Sequence, residues 1–164
     1  MGSRRRPAGE RVAIALGSKL GDRASHLTWA LTALGDHLTD LRASPFEETA
    51  PVEVPDAQPD YLNAVAVGRT TLAPHALLAA LLGLEAARGR TRPGRRSART
   101  LDLDLILYGN RQIDDDRLTV PHPRYLDRPF VLGPLARLVP RWRDPVTGRT
   151  LASLARSASR QITK

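Results

Sequence analysis

The chain has 164 residues, a formal net charge of +8, 41% hydrophobic residues and no cysteine. This length is typical of one domain with a real core, and the lack of cysteine excludes disulfides, thiolate metal sites and a cysteine nucleophile. No apolar run approaches the roughly 18 residues of a membrane span, and the N-terminus lacks the apolar segment of a signal peptide. We therefore expect a cytoplasmic protein with no membrane association and, because of its positive charge, an anionic partner such as nucleic acid, a nucleotide or a phosphorylated metabolite.

The first half of the chain predicts two strands with a helix between them. Residues 1–10 are expected to form a disordered basic tail, and 11–164 a single domain. The apolar run Arg11–Leu16 predicts a strand, and Asp22 or Ser25 is expected to cap the helix that follows. Its apolar stripe consists of Leu27, Leu31, Leu34 and Leu38. A second strand is predicted over Leu41–Glu48.

A proline-containing loop separates these elements from a second strand and helix pair. Residues 49–59 carry three prolines, and loops of this length are often functional. The alternation in Tyr61–Val67 predicts a strand with Tyr61, Asn63, Val65 and Val67 on one face. The next helix is predicted to begin at Pro74 and to end near Gly89.

The segment 99–110 is the most informative part of the sequence. It places Leu101, Leu103, Leu105 and Leu107 on one face of a predicted strand and Asp102 and Asp104 on the other. Aspartate is depleted in strands, and two carboxylates roughly 7 Å apart on one face can share cations. Mg²⁺ often takes one or two carboxylates together with substrate phosphates. Because the preceding segment, 88–99, carries six arginines, this region is typical of a phosphoryl-transfer site.

The C-terminal part predicts short connecting elements and two helices. Gly109-Asn110 indicates a hairpin turn with a return strand over 111–113, and 114–116 is expected to be a solvated turn. A helix is predicted over Phe130–Leu138, with Pro134 limiting its start, and a weaker one over Thr150–Ser159. The resulting β-α-β-β-α-β order predicts an α+β, ferredoxin-like fold. In it an antiparallel sheet carries two main helices on one face, with extra C-terminal helices.

Four motifs, in this order, resemble the 6-hydroxymethyl-7,8-dihydropterin pyrophosphokinase family of folate biosynthesis. They are 16–18 (Leu-Gly-Ser), 58–64 (Gln-Pro-Asp-Tyr-Leu-Asn-Ala), 99–105 (Arg-Thr-Leu-Asp-Leu-Asp-Leu) and 118–122 (Leu-Thr-Val-Pro-His). The resemblance runs from about Val12 to Leu135. It implies an enzyme that transfers a diphosphate from ATP to the pterin alcohol and releases AMP. It also implies a monomer with ATP and the pterin as its partners and no nucleic acid.

The resemblance implies a metal and phosphate site around the acidic strand. Asp102 and Asp104 would bind two Mg²⁺ ions that accompany ATP. The implied catalytic residues are Arg90, Arg92, Arg99, Asp102 and Asp104. The implied ATP-binding residues are Glu85, Arg90, Arg92, Arg99, Arg117, Thr119 and His122. Simpler roles stay open: a mobile basic loop for the arginines, a surface ion pair for Arg117 or Glu85, and a structural role for His122.

The resemblance also implies a pterin pocket built from an aromatic sandwich and amide hydrogen bonds. Tyr61 and Phe130 match the stacking residues, although both also suit plain core packing. The implied substrate-binding residues are Thr49, Val52, Tyr61, Asn63, Asp102, Arg128 and Phe130. The general base is not evident from the sequence, and metal-bound hydroxide or an aspartate are both compatible with it.

Several positions depart from the family pattern. Lys19 stands where the family has asparagine, and lysine, unlike asparagine, accepts no hydrogen bond. A Trp-Gly-Pro-Arg-like segment is replaced by 96–99, which lacks the tryptophan.

Two other functions stay open. One is a basic RNA-binding domain, since RNA recognition motifs share the strand and helix order. The other is a degenerate pyrophosphokinase retained as an interaction domain.

Overall fold

In the residues that the structure describes, the fold is a mixed α/β arrangement with a five-stranded antiparallel sheet, a two-stranded hairpin and four helices. We describe it from a computed structural model, for residues 9–19, 21–49, 61–89 and 100–162. The strands are β1 (Glu10–Ser18), β2 (Thr39–Ala43), β3 (Glu47–Thr49), β4 (Tyr61–Thr70), β5 (Asp102–Tyr108), β6 (Ile113–Asp114) and β7 (Thr119–Val120). The helices are α1 (Arg23–Leu34), α2 (Pro74–Gly89), α3 (Pro129–Leu138) and α4 (Leu151–Ile162), with a 3₁₀ turn at Tyr125–Asp127.

The main sheet has the strand order β2-β4-β1-β5, and β3 also pairs with β4. All of these pairings are antiparallel. One core lies between the sheet and the helices α1 and α2, and a second core lies on the opposite face against α3 and α4. Both faces of the sheet are therefore covered over much of their area. None of the helices in the described ranges is long and apolar enough to cross a lipid bilayer.

The helix boundaries follow local sequence signals. Asp22 caps α1, because its carboxylate accepts a hydrogen bond from the backbone N–H of Ser25. Helix α2 begins at Pro74 and ends at Gly89, as predicted. In α3, however, Pro134 lies inside the helix and does not limit its start, since the helix begins at Pro129. The last helix runs three residues past its predicted end, to Ile162.

The predicted strand over 41–48 is wrong in its middle part, where the structure has two strands. Between β2 and β3, the Ser44 hydroxyl accepts the hydrogen bond of the Val65 N–H, and Ser44 N–H donates to the Val65 carbonyl. Pro45 follows and has no N–H to continue the ladder. The side-chain hydrogen bond and the proline therefore interrupt the pairing with β4.

The prediction that Leu101, Leu103, Leu105 and Leu107 share one face is wrong at Leu107. A register shift between Ala13 and Ile14 pairs Ala13 with Leu107 and Ile14 with Leu105, which leaves Ile106 as an extra residue. Such a β-bulge breaks the two-residue alternation. Leu107 accordingly packs in the α3/α4 core, whereas Leu103 and Leu105 pack against α1 and α2.

The predicted return strand after Gly109-Asn110 is also wrong in its partner. Strand β6 pairs with β7, not with β5. The turn between them is closed by Asp115, whose Oδ1 accepts hydrogen bonds from the backbone N–H groups of Arg117 and Leu118, each at 2.9 Å. These hydrogen bonds lower the pKa of Asp115, and the adjacent His75 lowers it further. The segment 114–116 is thus a turn, as predicted, but it belongs to this small hairpin.

A buried carboxylate supports the C-terminal part of the fold. Asp144 is 1% exposed, and it accepts hydrogen bonds from the Tyr125 hydroxyl at 2.5 Å and from the Thr147 N–H at 2.8 Å. Burial, followed by this carboxylate, raises the pKa of Tyr125 far above its usual value. The Tyr125 hydroxyl is therefore held as a permanent donor to Asp144.

Replacing Tyr125 by Phe is expected to destabilise the protein by about 1–3 kcal/mol, because a buried carboxylate then loses a donor. Urea unfolding followed by circular dichroism measures the change. Tyr108→Phe is the matched control, since the Tyr108 hydroxyl donates to a neutral carbonyl, that of Leu72. Tyr108→Phe should lower the free energy of unfolding by less than Tyr125→Phe does. An equal or larger loss for Tyr108→Phe would contradict the importance that we assign to the Tyr125–Asp144 hydrogen bond.

Replacing Gly83 by Ala is expected to stabilise the protein by about 0.5–1 kcal/mol. Gly83 is exposed within α2, and no described atom lies within 4 Å of the position that a Cβ would take. Glycine costs helix stability relative to alanine because its backbone loses more freedom on folding. Thermal unfolding provides the measurement, and an unchanged or lower midpoint would contradict the expected gain.

Candidate active site

One end of the sheet places the predicted carboxylate of Asp102 and the predicted amide of Asn63 in a single row. Asp102 on β5 is paired with Gly17 on β1, Gly17 with Asn63 on β4, and Asn63 with Glu47 on β3. Residues directly opposite each other in antiparallel strands have their side chains on the same face. Strands lie about 4.8 Å apart, so the backbones of Asn63 and Asp102 are about 10 Å apart. This face is the one that α3 and α4 cover farther along the sheet.

A second row lies one step farther into the sheet. It contains Asp104 on β5, Ala15 on β1 and Val65 on β4. Asp104 is exposed and Asp102 is half-buried. Because only Gly17 and Ala15 stand on β1 between the aspartates and β4, the sheet surface forms a shallow groove there. A Cβ at Gly17 would approach Asn63 Oδ1 to 3.3 Å, so the groove depends on this glycine.

Strand β5 is held in place on both sides of its first aspartate. The carboxylate of Glu85 on α2 accepts a hydrogen bond from the Leu103 N–H at 2.8 Å. The Ser18 hydroxyl donates to the Thr100 carbonyl at 2.6 Å, and Ser18 is buried. Glu85 therefore holds the strand at the residue between Asp102 and Asp104, and its direct contact with ATP stays a prediction.

The predicted pterin residues on β3 and β4 lie in the row of Asp102 and just beyond it. Asn63 is buried and its amide nitrogen donates a hydrogen bond to the Thr49 hydroxyl. Tyr61 is paired with Thr49 and is half-buried. Phe130, near the start of α3, is partly buried against the α3/α4 core. The structure thus brings Thr49, Tyr61 and Asn63 together, whereas Phe130 also has the core contacts that were its alternative role.

His122 is fixed next to the acidic strand. Its N–H donates to the Ile106 carbonyl on β5 at 2.9 Å, and its Nδ1 accepts a hydrogen bond from the Arg124 N–H at 3.1 Å. Burial lowers the pKa of His122; Asp104 opposes this shift, and Arg128 and Arg124 add to it. The imidazole is therefore neutral at pH 7 with its proton on Nε2, which makes Nε2 a hydrogen-bond donor.

The remaining described ATP candidates surround the β6–β7 hairpin. Thr119 is exposed on β7 and its hydroxyl donates to the Asp114 carboxylate at 3.2 Å. Arg117 is exposed in the turn, where its backbone N–H, and not its guanidinium, contacts Asp115. Arg128, which is a predicted substrate-binding residue, precedes α3 and acts electrostatically on His122. A pocket of about 350 Å³ lies beside the hairpin, and of the described candidates only Thr119 and His122 line it.

Four predicted site residues, Val52, Arg90, Arg92 and Arg99, lie outside the described residues. Arg88, the first arginine of the basic segment, lies within the described residues and contacts α1. Its Nε donates to His26 Nδ1 at 2.9 Å, and its guanidinium carbon lies 5.4 Å from the centre of the Trp29 ring. Arg88 therefore joins the end of α2 to α1.

The donor set suits a cation that is shared with a ligand. Within the described ranges, no group of three or more His, Asp or Glu side chains could hold a metal ion alone. Asp102 and Asp104 offer carboxylate oxygens on one face of a strand, which fits Mg²⁺, because this ion often completes its shell with phosphate oxygens and water. The arrangement can therefore position a polyphosphate beside a flat ligand on the sheet.

Sequence reasoning missed two contributors to this site. Gly17 forms the floor of the groove, and its role was missed because the first strand was predicted to end at Leu16, whereas β1 continues to Ser18; a glycine within a strand often marks a close approach. Glu47 lies in the same row as Asn63 and forms an ion pair with Arg137 of α3 at 3.0 Å. Glu47 and Arg137 are 90 residues apart. Only the tertiary fold brings them together, so the sequence carries no signal for this ion pair.

Comparison with known proteins gives a consistent result. The family model for 7,8-dihydro-6-hydroxymethylpterin-pyrophosphokinase matches residues 13–140. A relative from Pseudomonas aeruginosa, named 2-amino-4-hydroxy-6-hydroxymethyldihydropteridine pyrophosphokinase, is 43% identical over 148 residues, which cover 88% of this chain and 90% of the relative. The Synechocystis protein of the same name is 50% identical over 97 residues, 59% of this chain and 50% of that protein.

Longer proteins match over only part of their length. The mitochondrial folate synthesis bifunctional protein of Pisum sativum is 45% identical over 133 residues, which cover 79% of this chain and 25% of that protein. The crystal structure of Plasmodium falciparum HPPK-DHPS with pteroate has a TM-score of 0.77 at 11% identity, covering 97% of this chain and 46% of that one. A crystal structure of HPPK-DHPS in complex with substrates has a TM-score of 0.72 at 12% identity, covering 94% and 44%. At such identity these structures support the fold alone.

Proposed function

The chain belongs to the 7,8-dihydro-6-hydroxymethylpterin-pyrophosphokinase family, and we propose that it transfers a diphosphate group from ATP to 6-hydroxymethyl-7,8-dihydropterin and releases AMP. The row Asp102–Gly17–Asn63 carries this proposal. It puts a carboxylate for a metal-bound polyphosphate and an amide for a heterocycle on one sheet face, with a groove between them. The order of the elements along the chain and the strand order β2-β4-β1-β5 also support a ferredoxin-like plan for the sheet.

In the proposed reaction, the hydroxymethyl oxygen of the pterin attacks the β-phosphorus of ATP. The bond between this phosphorus and the oxygen that bridges to the α-phosphorus breaks, AMP leaves with that oxygen, and the hydroxyl proton is released. Catalysis of such a transfer depends mainly on positioning and on charge stabilisation. The chain's contribution is therefore to hold both substrates on one surface with the reacting oxygen in line.

The phosphate side of the site would be held by the acidic strand and its neighbours. Asp102 and Asp104 would bind the two Mg²⁺ ions, which supply neutralisation of phosphate charge when bound with ATP. Neutral His122 would donate its Nε2–H to a phosphate oxygen. Arg117, Thr119 and, from the basic segment, Arg90, Arg92 and Arg99 complete the proposed set. In this proposal Glu85 acts through β5, by fixing the strand between the two carboxylates.

The pterin side would be held by stacking and amide hydrogen bonds. Tyr61 and Phe130 offer aromatic faces, and stacking between two such faces suits a flat heterocycle. Asn63 and Thr49, which already bond to each other, would bind its polar edge. The other residues proposed to bind the substrate are Val52, Asp102 and Arg128. The carbonyl oxygen of an asparagine amide accepts and its nitrogen donates, which matches the mixed edge of a pterin.

The decisive experiment measures AMP formed from ATP and Mg²⁺, with and without 6-hydroxymethyl-7,8-dihydropterin. AMP that appears only with the pterin establishes both the reaction and the substrate. Binding of ATP with no AMP would support the alternative of a degenerate enzyme. Absence of ATP binding together with strongly salt-dependent RNA binding would favour the RNA-binding alternative and overturn the proposal.

A further inference from the structure

Lys19 contacts the aromatic ring at the end of the sheet where the pterin is proposed to bind. Its Nζ lies 5.6 Å from the centre of the Tyr61 ring, within the range of a cation–π interaction. The strand register explains the contact. Ser18 is the last paired residue of β1 and lies opposite Leu62, so Lys19 follows at the level of Tyr61. Because alternate residues of a strand share a face, Lys19 and Tyr61 lie on the same sheet face as Gly17 and Asn63.

The chemical character of Lys19 differs from that of the other basic residues. The chain has only two lysines, Lys19 and Lys164, among 25 basic residues. An ammonium group is compact, carries three donors and accepts nothing, and its flexible stem lets it contact a ring and a ligand together. The family has asparagine at this position, so Lys19 brings a full positive charge close to the neutral polar groups of Asn63 and Thr49.

We propose that Lys19 is a specificity-determining residue of this site. Its ammonium group holds the Tyr61 ring by a cation–π contact and donates a hydrogen bond to an acceptor atom on the edge of the flat heterocycle that stacks on that ring. This inference rests on the proposed function, since the heterocycle is the pterin substrate. It differs from a purely structural role, in which Lys19 would only support Tyr61 and would not touch the ligand.

Equilibrium binding to the full-length chain tests the proposal. The dissociation constant of 6-hydroxymethyl-7,8-dihydropterin is measured in the presence of Mg²⁺ and a non-hydrolysable ATP analogue, for wild type, Lys19→Met, Lys19→Arg and Arg141→Met. Methionine keeps the length of the side chain but removes the charge, and we expect it to weaken pterin binding about tenfold, the scale of a lost charged hydrogen bond. Arginine should restore most of the affinity. Arg141 is exposed and lies beyond the C-terminal end of α3, whereas Phe130 is near the start of that helix, so its replacement controls for net charge.

A second readout separates ligand contact from support of the ring. Acetylation of Lys19 by an amine-reactive ester is followed by mass spectrometry, with Lys164 as the internal reference. Saturating pterin should slow acetylation of Lys19 relative to Lys164, because a lysine that donates to the ligand is shielded by it. A structural lysine that only supports Tyr61 would keep its reactivity.

The outcomes distinguish this inference from the function on which it rests. If wild type does not bind the pterin at all, the proposed function is wrong and the role of Lys19 falls with it. If wild type binds and Lys19→Met binds equally well, or if pterin gives no protection, only the role of Lys19 is wrong. An equal loss of affinity for the ATP analogue in Lys19→Met would likewise contradict specificity for the heterocycle.

Discussion

Replacing Asp104 by Asn is expected to lower the rate of AMP formation on the order of 10³-fold. Asp104 is an exposed carboxylate on β5, and its replacement removes one of the two charges proposed to hold the metal ions with ATP. Asparagine keeps the shape but binds a hard cation less well, because it carries no charge. Initial rates at saturating ATP and pterin, with Mg²⁺ varied, measure the effect.

Asp102→Asn is expected to give a loss of the same order. Asp102 lies on the same face of β5 and is paired with Gly17, whereas Asp104 is paired with Ala15, so both carboxylates border the groove. Since Asp102 is half-buried, the folded state of this variant needs a check by thermal unfolding before its rate is interpreted. For Asp104, which is exposed, the thermal midpoint should stay close to that of wild type.

The control for both variants is Asp116→Asn. Asp116 is exposed in the turn between β6 and β7, so this variant removes one negative charge without touching β5. Its rate should equal that of wild type. A rate near that of wild type in both Asp102→Asn and Asp104→Asn would disprove the metal assignment. A comparable loss in Asp116→Asn would show that net charge, and not the acidic pair, controls the reaction.

Much of the fold follows from local patterns in the sequence. The alternation in β4 and β5 and the cap at Asp22 predict the elements that form, because these signals are carried by neighbouring residues. The errors occur where a distant residue decides the outcome. The bulge opposite Ala13 moves Leu107 to the other core, and the Ser44 hydroxyl, by bonding to Val65, splits a predicted strand. Neither partner is close in sequence.

The candidate site follows the same division. The type and spacing of Asp102 and Asp104 predict a shared face, and the structure places them so. The sequence does not contain the position of this pair relative to the residues proposed to bind the pterin, because that position depends on the order of β5, β1 and β4 in the sheet. The role of Glu85 illustrates the point, since its carboxylate contacts a backbone N–H 18 residues away. A backbone contact leaves no trace in residue identity.

The floor of the groove leads to the second large effect that we expect. Gly17→Val should lower kcat/KM for the pterin about 100-fold and leave the affinity for ATP nearly unchanged. Even a single Cβ at this position would approach Asn63 Oδ1 to 3.3 Å, and the two further methyl groups of valine would occupy the groove between Asn63 and Asp102. Valine suits a strand, so the change should act on the site and not on the formation of β1.

Steady-state kinetics with the pterin varied, together with ATP-analogue binding, measures the effect of Gly17→Val. A graded series makes the argument sharper: Gly17→Ala adds only the Cβ and should cause a smaller loss, in which the Asn63 amide shifts by a few tenths of an ångström. Gly83→Ala is the matched glycine control, because no described atom is near its Cβ position, and it should leave kcat/KM unchanged. If Gly17→Val retains the wild-type kcat/KM while remaining folded, the substrate does not lie over Gly17. The row from Asp102 to Asn63 would then not be the surface on which the two substrates meet.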